Sequence, residues 1–152
     1  MKIGGFLILV FILYHDFAHA QNGKVGINTT TPSAMLHVQD SSVLFCGSAS
    51  FPNGSGAPPI SGQGVRMMWY PNRAAFRAGG VTSTEWDKNN IGTYSFAIGN
   101  DTKASGYTSI AMGSGKNPTG FISTAFGQLT NATGQRSTAI GESTTASGSI
   151  GS

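Results

Sequence analysis

The chain has 152 residues, with nine Lys and Arg against six Asp and Glu for a formal charge of +3, and only 10% of its residues are charged. That length allows one or two small domains at most. The basic residues are scattered and form no cluster or stripe, which argues against a nucleic-acid partner. A composition rich in Gly, Ser, Thr and Asn suits turn-rich β structure.

Residues 1–20 read as an export signal. Lys2 is a short basic start, Phe6 to Tyr14 an unbroken apolar run, and Ala18-His19-Ala20 an A-x-A cleavage site. The apolar run is shorter than the roughly 20 residues a membrane helix needs. Cleavage after Ala20 would leave a secreted chain with no direct membrane span, and Gln21 stands where a lipid-anchored chain would carry Cys.

Residues 21–46 form an N-terminal β segment. Two β-prone runs, Lys24 to Ile27 and Met35 to Val38, flank a turn from Asn28 to Ser33, in which Pro32 holds Thr31 extended. His37 alternates with Leu36 and Val38, which predicts an outward-facing strand residue rather than a ligand or base. Cys46 is the one cysteine, so no internal disulfide can form. Its two readings are a thiol buried as a small hydrophobe and an intersubunit disulfide.

Residues 47–64 are a Gly/Pro-rich linker. Residues 65–91 then read as a β-hairpin and lead-in cap: Arg66 to Tyr70 and Ala74 to Ala78 flank Pro71-Asn72-Arg73. Trp69, Phe76 and Trp86 are the bulkiest groups available to plug one end of the C-terminal third, with an aromatic ligand patch as the alternative.

From Gly92 the chain repeats every fourteen residues without a gap. Glycine opens each unit at Gly92, Gly106, Gly120, Gly134 and Gly148, and recurs seven residues later at Gly99, Gly113, Gly127 and Gly141. Fourteen residues with two glycines are too few for a helical repeat. Two short strands and two tight turns fit one coil of a parallel β-solenoid, with the glycines supplying positive φ or close approach at the bends. Within each unit a bulky position alternates with a small one. The expectation is that Ile98, Met112, Phe126 and Ile140 form a column filling the roll, while Ala97, Ala111, Ala125 and Ala139 form a column meeting another subunit.

The register Ser95-Phe96-Ala97-Ile98-Gly99, followed by Ala104-Ser105-Gly106, resembles the head repeat of YadA-like trimeric autotransporter adhesins. The resemblance implies an all-β fold, a left-handed parallel β-roll, and three chains around an axis. It also implies adhesion to extracellular-matrix proteins or host-surface ligands at the outer membrane. Pro118 departs from the repeat by replacing the alanine found at 104, 132 and 146. No apolar heptads or barrel strands like those of the family's stalk and anchor follow the repeats in this sequence, so a fragment or truncated paralogue is one reading. The segment from Val25 to Val38 also resembles the lead-in of tail-fibre-like proteins, which makes a spacer without its own ligand the alternative function.

Catalytic motifs fail on inspection. Gly113-Ser114-Gly115-Lys116 lacks both the earlier glycine and the following Ser or Thr of a phosphate loop. No serine sits in a nucleophile elbow, and the acids recur at no fixed interval. The expectation is a non-enzymatic protein with no cofactor and no metal.

Overall fold

The computed structural model describes residues 19–21, 23–47, 52–115 and 118–148. The expected export signal, residues 1–20, lies outside the described residues apart from His19 and Ala20. The chain divides into two compact units, Met1–Leu44 and Phe45–Ser152.

In the first unit three short strands make one sheet in the order β1 (His19–Gln21), β2 (Lys24–Ile27), β3 (Leu36–Val38). The two runs separated by the Pro32 turn are strands as expected, and they pair in parallel, Val25 opposite Leu36 and Ile27 opposite Val38. Parallel pairs ordinarily need a crossover of a dozen or more residues. The link from 28 to 35 makes it in eight by turning at Asn28, whose φ is 59° and whose amide Nδ2 donates to Gln39 O at 3.1 Å. His37 is half-buried, and its Nδ1 accepts from Ser33 N at 3.2 Å.

The second unit is a parallel β-roll preceded by an antiparallel hairpin. β4 (Gly64–Tyr70) and β5 (Ala75–Val81) pair antiparallel through the tight turn Pro71–Arg73, with Trp69 opposite Phe76. Proline suits the first position of that turn because its φ is fixed and its missing N–H costs nothing there. The linker before it is tied down: Tyr70 Oη donates to Ser55 O and Gly56 O at 3.2 and 3.0 Å, and Asn72 Nδ2 to Ser55 O at 2.9 Å.

β5 then pairs in parallel with β6 (Phe96–Asn100), and β7 (Ile110–Ser114), β8 (Thr124–Gln128) and β10 (Thr138–Glu142) continue the stack, making a six-stranded sheet. The register advances by fourteen at every step: Ala97 faces Ala111, Ala111 faces Ala125 and Ala125 faces Ala139. On the opposite side of the roll the strands are shorter, β9 (Asn131–Ala132) pairing in parallel with β11 (Thr145–Ala146). Pro118 occupies the β9 position one coil earlier, fully buried, and brings no N–H to that ladder.

The interior differs from the sequence expectation, and the difference inverts the two columns. Ala97, Ala111 and Ala125 are 0% exposed and Ala139 4%, enclosed within one chain rather than set out for a neighbour. They share the interior with Ala104, Ala132, Ser95, Ser109, Ser123, Ser137, Thr102 and Thr130. Phe126 and Ile140, expected inside, are 49% and 65% exposed, while Ile98 and Met112 on the same outer face are half-buried. The alternation holds but its sides are exchanged. Each coil is so flat that its two strands leave room only for small side chains, threonine and proline being the largest within the repeats, and bulky groups must point away.

The turns also differ in detail. Gly99, Gly113, Gly127 and Gly141 have φ between 116° and 125°, but each lies inside its strand rather than at a bend. Gly92, Gly106, Gly120 and Gly134 have no positive φ; a Cβ there would collide with the carbonyl of the next coil's equivalent glycine. Gly148 has no atom near enough to restrict a Cβ. The left-handed turn positions are instead held by Tyr94, Thr108, Ile122 and Arg136, and, across the coil, by Asp101, Gly115, Leu129 and Ser143. β-branched residues seldom adopt this conformation. Hydrogen bonds to the preceding coil compensate: Ile122 N donates to Tyr107 O and Arg136 N to Phe121 O, both at 2.8 Å.

Candidate functional site: the outer face of the roll

One serine per coil fixes the turn that starts each strand. The hydroxyls of Ser109, Ser123 and Ser137 donate to the carbonyls of Gly106, Gly120 and Gly134 at 2.7 to 2.8 Å, and Ser95 bonds Gly92 in the same way. A buried hydroxyl is thereby satisfied locally, and the strand leaves each turn with the same side outward.

The lower end of the roll is closed by Trp86 and Arg77. Trp86 is fully buried, as expected of a capping aromatic; its Nε1 donates to Thr102 O at 2.8 Å, and the Arg66 guanidinium lies 5.2 Å from its ring. Trp69 and Phe76 do not plug the end: both are half-buried on the outer face, where Phe76 stacks on Phe96 at 5.4 Å. The interior position belongs to Arg77, paired in register with Ala97 and 0% exposed. Its Nη1 donates to Phe76 O and Ser95 O, and its Nη2 to Ser95 Oγ and Ala104 O, at 2.7 to 3.0 Å. Burial lowers its pKa to about 9, so it is charged at neutral pH. Nothing in the repeat pattern marks this residue, because the hairpin precedes the first glycine of the register.

The sheet's outward side groups into three rows. The first is Trp69, Phe76, Phe96, Ile110, Thr124 and Thr138; the second Met67, Ala78, Ile98, Met112, Phe126 and Ile140; the third is mostly polar, with Asn100, Ser114, Gln128 and Glu142. Val65 and Met67 on the edge strand β4 are 90% and 75% exposed. This is a continuous apolar surface across all six strands, wider than the scattered apolar groups a monomer normally displays. A second exposed line runs along the turn before each strand, where Tyr94 meets Tyr107 edge-on at 5.4 Å and Tyr107 stacks on Phe121 at 5.1 Å.

Cys46 is exposed rather than buried as a small hydrophobe. Among the described residues no three or more His, Cys, Asp or Glu side chains come together as a metal site. No helix among them is long and apolar enough to cross a membrane. A cavity of about 400 Å³ opens beside Thr138, Ile140 and Thr144 over the last coil.

Comparison with curated proteins and with solved structures gives no match. A family model does match: residues 91–115, 119–143 and 132–149 fit the YadA head domain repeat. The coils from residue 91 to 149 are therefore similar to the YadA head repeat in register, and their parallel β-roll is the fold that repeat implies.

Proposed function

We propose that the roll is an adhesin head, non-catalytic and exported, that acts as a homotrimer at the cell surface. The match to the YadA head repeat supports the class. The observation that carries the trimer is the apolar outer face of the six-stranded sheet. With chiefly alanine, serine and threonine inside the repeat coils, one chain buries little apolar area there, and most of the bulky side chains sit outside. Three sheets turned towards a common axis would cover Phe96, Ile98, Ile110, Met112, Phe126 and Ile140 and supply the missing burial. The subunit contact thus moves from the alanine column to the bulky column. Ligand binding would fall to the opposite side of each roll, the side of β9 and β11, where Asn131 and Thr145 stand opposite each other.

Analytical ultracentrifugation of the secreted chain, followed by binding to immobilised collagen, fibronectin and glycans, tests both parts. A trimer that binds one of them supports the reading. A folded monomer defeats it, and a folded trimer that binds none assigns the roll to the spacer role.

A further inference from the structure

The six-stranded sheet begins with β4, which has a strand on one side only. In β5, Phe76 N donates to Ser95 O at 3.0 Å and Gly80 O accepts from Asp101 N at 2.9 Å, so the even-numbered residues of that strand turn their N–H and C=O groups towards β6. Ala75, Arg77, Gly79 and Val81 therefore turn theirs towards β4, where they stand opposite Tyr70, Met68, Arg66 and Gly64. The groups left on the open edge belong to Val65, Met67 and Trp69. Among the described residues no backbone hydrogen bond from the linker reaches them.

Natural edge strands are blunted by a charge, a proline or a bulge. β4 contains no proline and keeps an unbroken register with β5. Its one charged residue is committed to the inner side: Arg66 Nη2 donates to Gly62 O at 2.7 Å, and the guanidinium lies over the Trp86 ring. Met68 and Tyr70 are buried on that side, whereas Val65 and Met67 are exposed on the other. The open edge thus offers a row of unpaired backbone groups beside an apolar face.

We infer that β4 pairs antiparallel with β4 of a second copy of this chain, about a two-fold axis that passes through Met67 normal to the sheet. The strand is self-complementary in that register. All seven residues overlap, with Val65 opposite Trp69, Arg66 opposite Met68 and Met67 opposite Met67 of the second copy. Val65 with Trp69 is a β-branched and aromatic cross-strand pair of the kind that stabilises sheets. A register centred on Arg66 would set two guanidiniums directly opposite each other, which is unfavourable, and one centred on Met68 would leave Val65 beyond the end of the second strand. The three outward residues of each strand exchange about six backbone bonds, and the apolar rows through Met67 and Trp69 run on into the second sheet. Such a contact is isologous and closes at two. It goes beyond the trimer proposed above and does not depend on it: a two-fold normal to a sheet that faces a three-fold axis is radial, so two rings can meet through three of these pairs.

The test uses the full chain with Cys46→Ser as background. Sedimentation is expected to give an even assembly, of two copies or of six. Met67→Pro removes the central outward N–H and no bond to β5, a position where edge strands tolerate proline, and should halve the mass while the circular dichroism is kept. Met67→Lys alters only a side chain already exposed and should raise the dissociation constant of the pair more than tenfold. Met67→Cys reads the geometry, because hydrogen-bonded antiparallel partners have Cα atoms about 5.5 Å apart, within the span of a disulfide. Oxidation should link all chains in pairs, whereas linking around a three-fold axis leaves at least one chain in three free. A dimer that both variants split supports the pairing and defeats the ring of three. A folded monomer overturns both. A trimer overturns the pairing alone and leaves the adhesin head standing, and an even assembly that neither variant splits overturns the pairing as well.

Discussion

Arg77 stands in register with Ala97, so the interior column of the roll begins with a guanidinium and continues with four methyl groups. The arginine caps the tube from within, spanning from its own strand to Ser95 and Ala104 across the interior. Its acceptors do not depend on it. Ser95 O also accepts from Phe76 N at 3.0 Å, and Ala104 O from Gly92 N at 2.8 Å.

That redundancy makes Arg77→Met and Arg77→Ala diverge. Methionine keeps the volume, orphans no carbonyl and removes a buried charge that no carboxylate partner among its hydrogen bonds offsets, so stability is expected to stay within about 1.5 kcal/mol of the parent or to rise. Alanine leaves a cavity and should cost about 2–5 kcal/mol. Urea unfolding of both variants reads the difference. The pH dependence comes from the lowered pKa of about 9. The folded chain holds this proton less tightly than the unfolded chain, so the burial penalty is complete below pH 9 and is relieved as pH rises above it. The stability of the parent relative to Arg77→Met should therefore increase between pH 9 and 11.

The exchange of inside and outside gives a second prediction. Ala125→Leu must fit a branched side chain where the opposing strand leaves room for a methyl, and is expected to cost at least about 3 kcal/mol or to prevent folding. Phe126→Ser, one residue away, touches only the outer face and should leave each roll folded while raising the dissociation constant of the assembly more than tenfold. Circular dichroism and sedimentation of the two variants separate fold from association. The opposite ranking would return the bulky column to the interior.

Much of this architecture is legible in the sequence because the period is strict. The hairpin around Pro71, the parallel register of fourteen and the alternation of Ala97 with Ile98 can be read from spacing and turn chemistry alone. The side assignment is not legible, because hydrophobicity ranks isoleucine above alanine for burial and says nothing about how far apart two backbones lie. Arg77 escapes notice for a related reason: a charged residue inside a hairpin strand reads as exposed until its neighbours form a closed tube. The left-handed turns at Thr108 and Ile122 are hidden because the glycines nearby are the obvious candidates, whereas interstrand hydrogen bonds stabilise the non-glycine positions.

Gly79 and Gly80 are neighbours in one strand with opposite tolerance. Gly79 has φ 130°, and a Cβ there would collide with the backbone of Gly99; Gly80 has an ordinary φ, and its Cβ would lie 3.4 Å from a methyl of Val65. Gly79→Ala is expected to destabilise by more than about 3 kcal/mol. Gly80→Ala should stay within about 0.5 kcal/mol, aided by the restricted unfolded chain. Thermal melts of the two single variants, taken at the same protein concentration, provide the comparison.

The last prediction concerns hydroxyls that the roll buries without use. Ser95, Ser109, Ser123 and Ser137 each find a carbonyl three residues back, but Thr102 and Thr130 are 0% exposed and their Oγ1 atoms have no hydrogen-bond partner among the described residues. Both lie beyond the trailing turn, where the local i−3 geometry that satisfies the serines is not available. A buried polar atom left unpaired costs about 1–3 kcal/mol, so removing it should help if shape is kept. Valine replaces the hydroxyl with a methyl of similar size. Thr130→Val is therefore expected to raise stability by about 1 kcal/mol, and Ser123→Val to lower it by a similar amount or more, because a formed bond to Gly120 O is lost and the turn it fixes is loosened. Denaturant midpoints at constant slope decide the matter: equal destabilisation by both substitutions would mean that Thr130 has a partner in solution, such as a bound water in the tube.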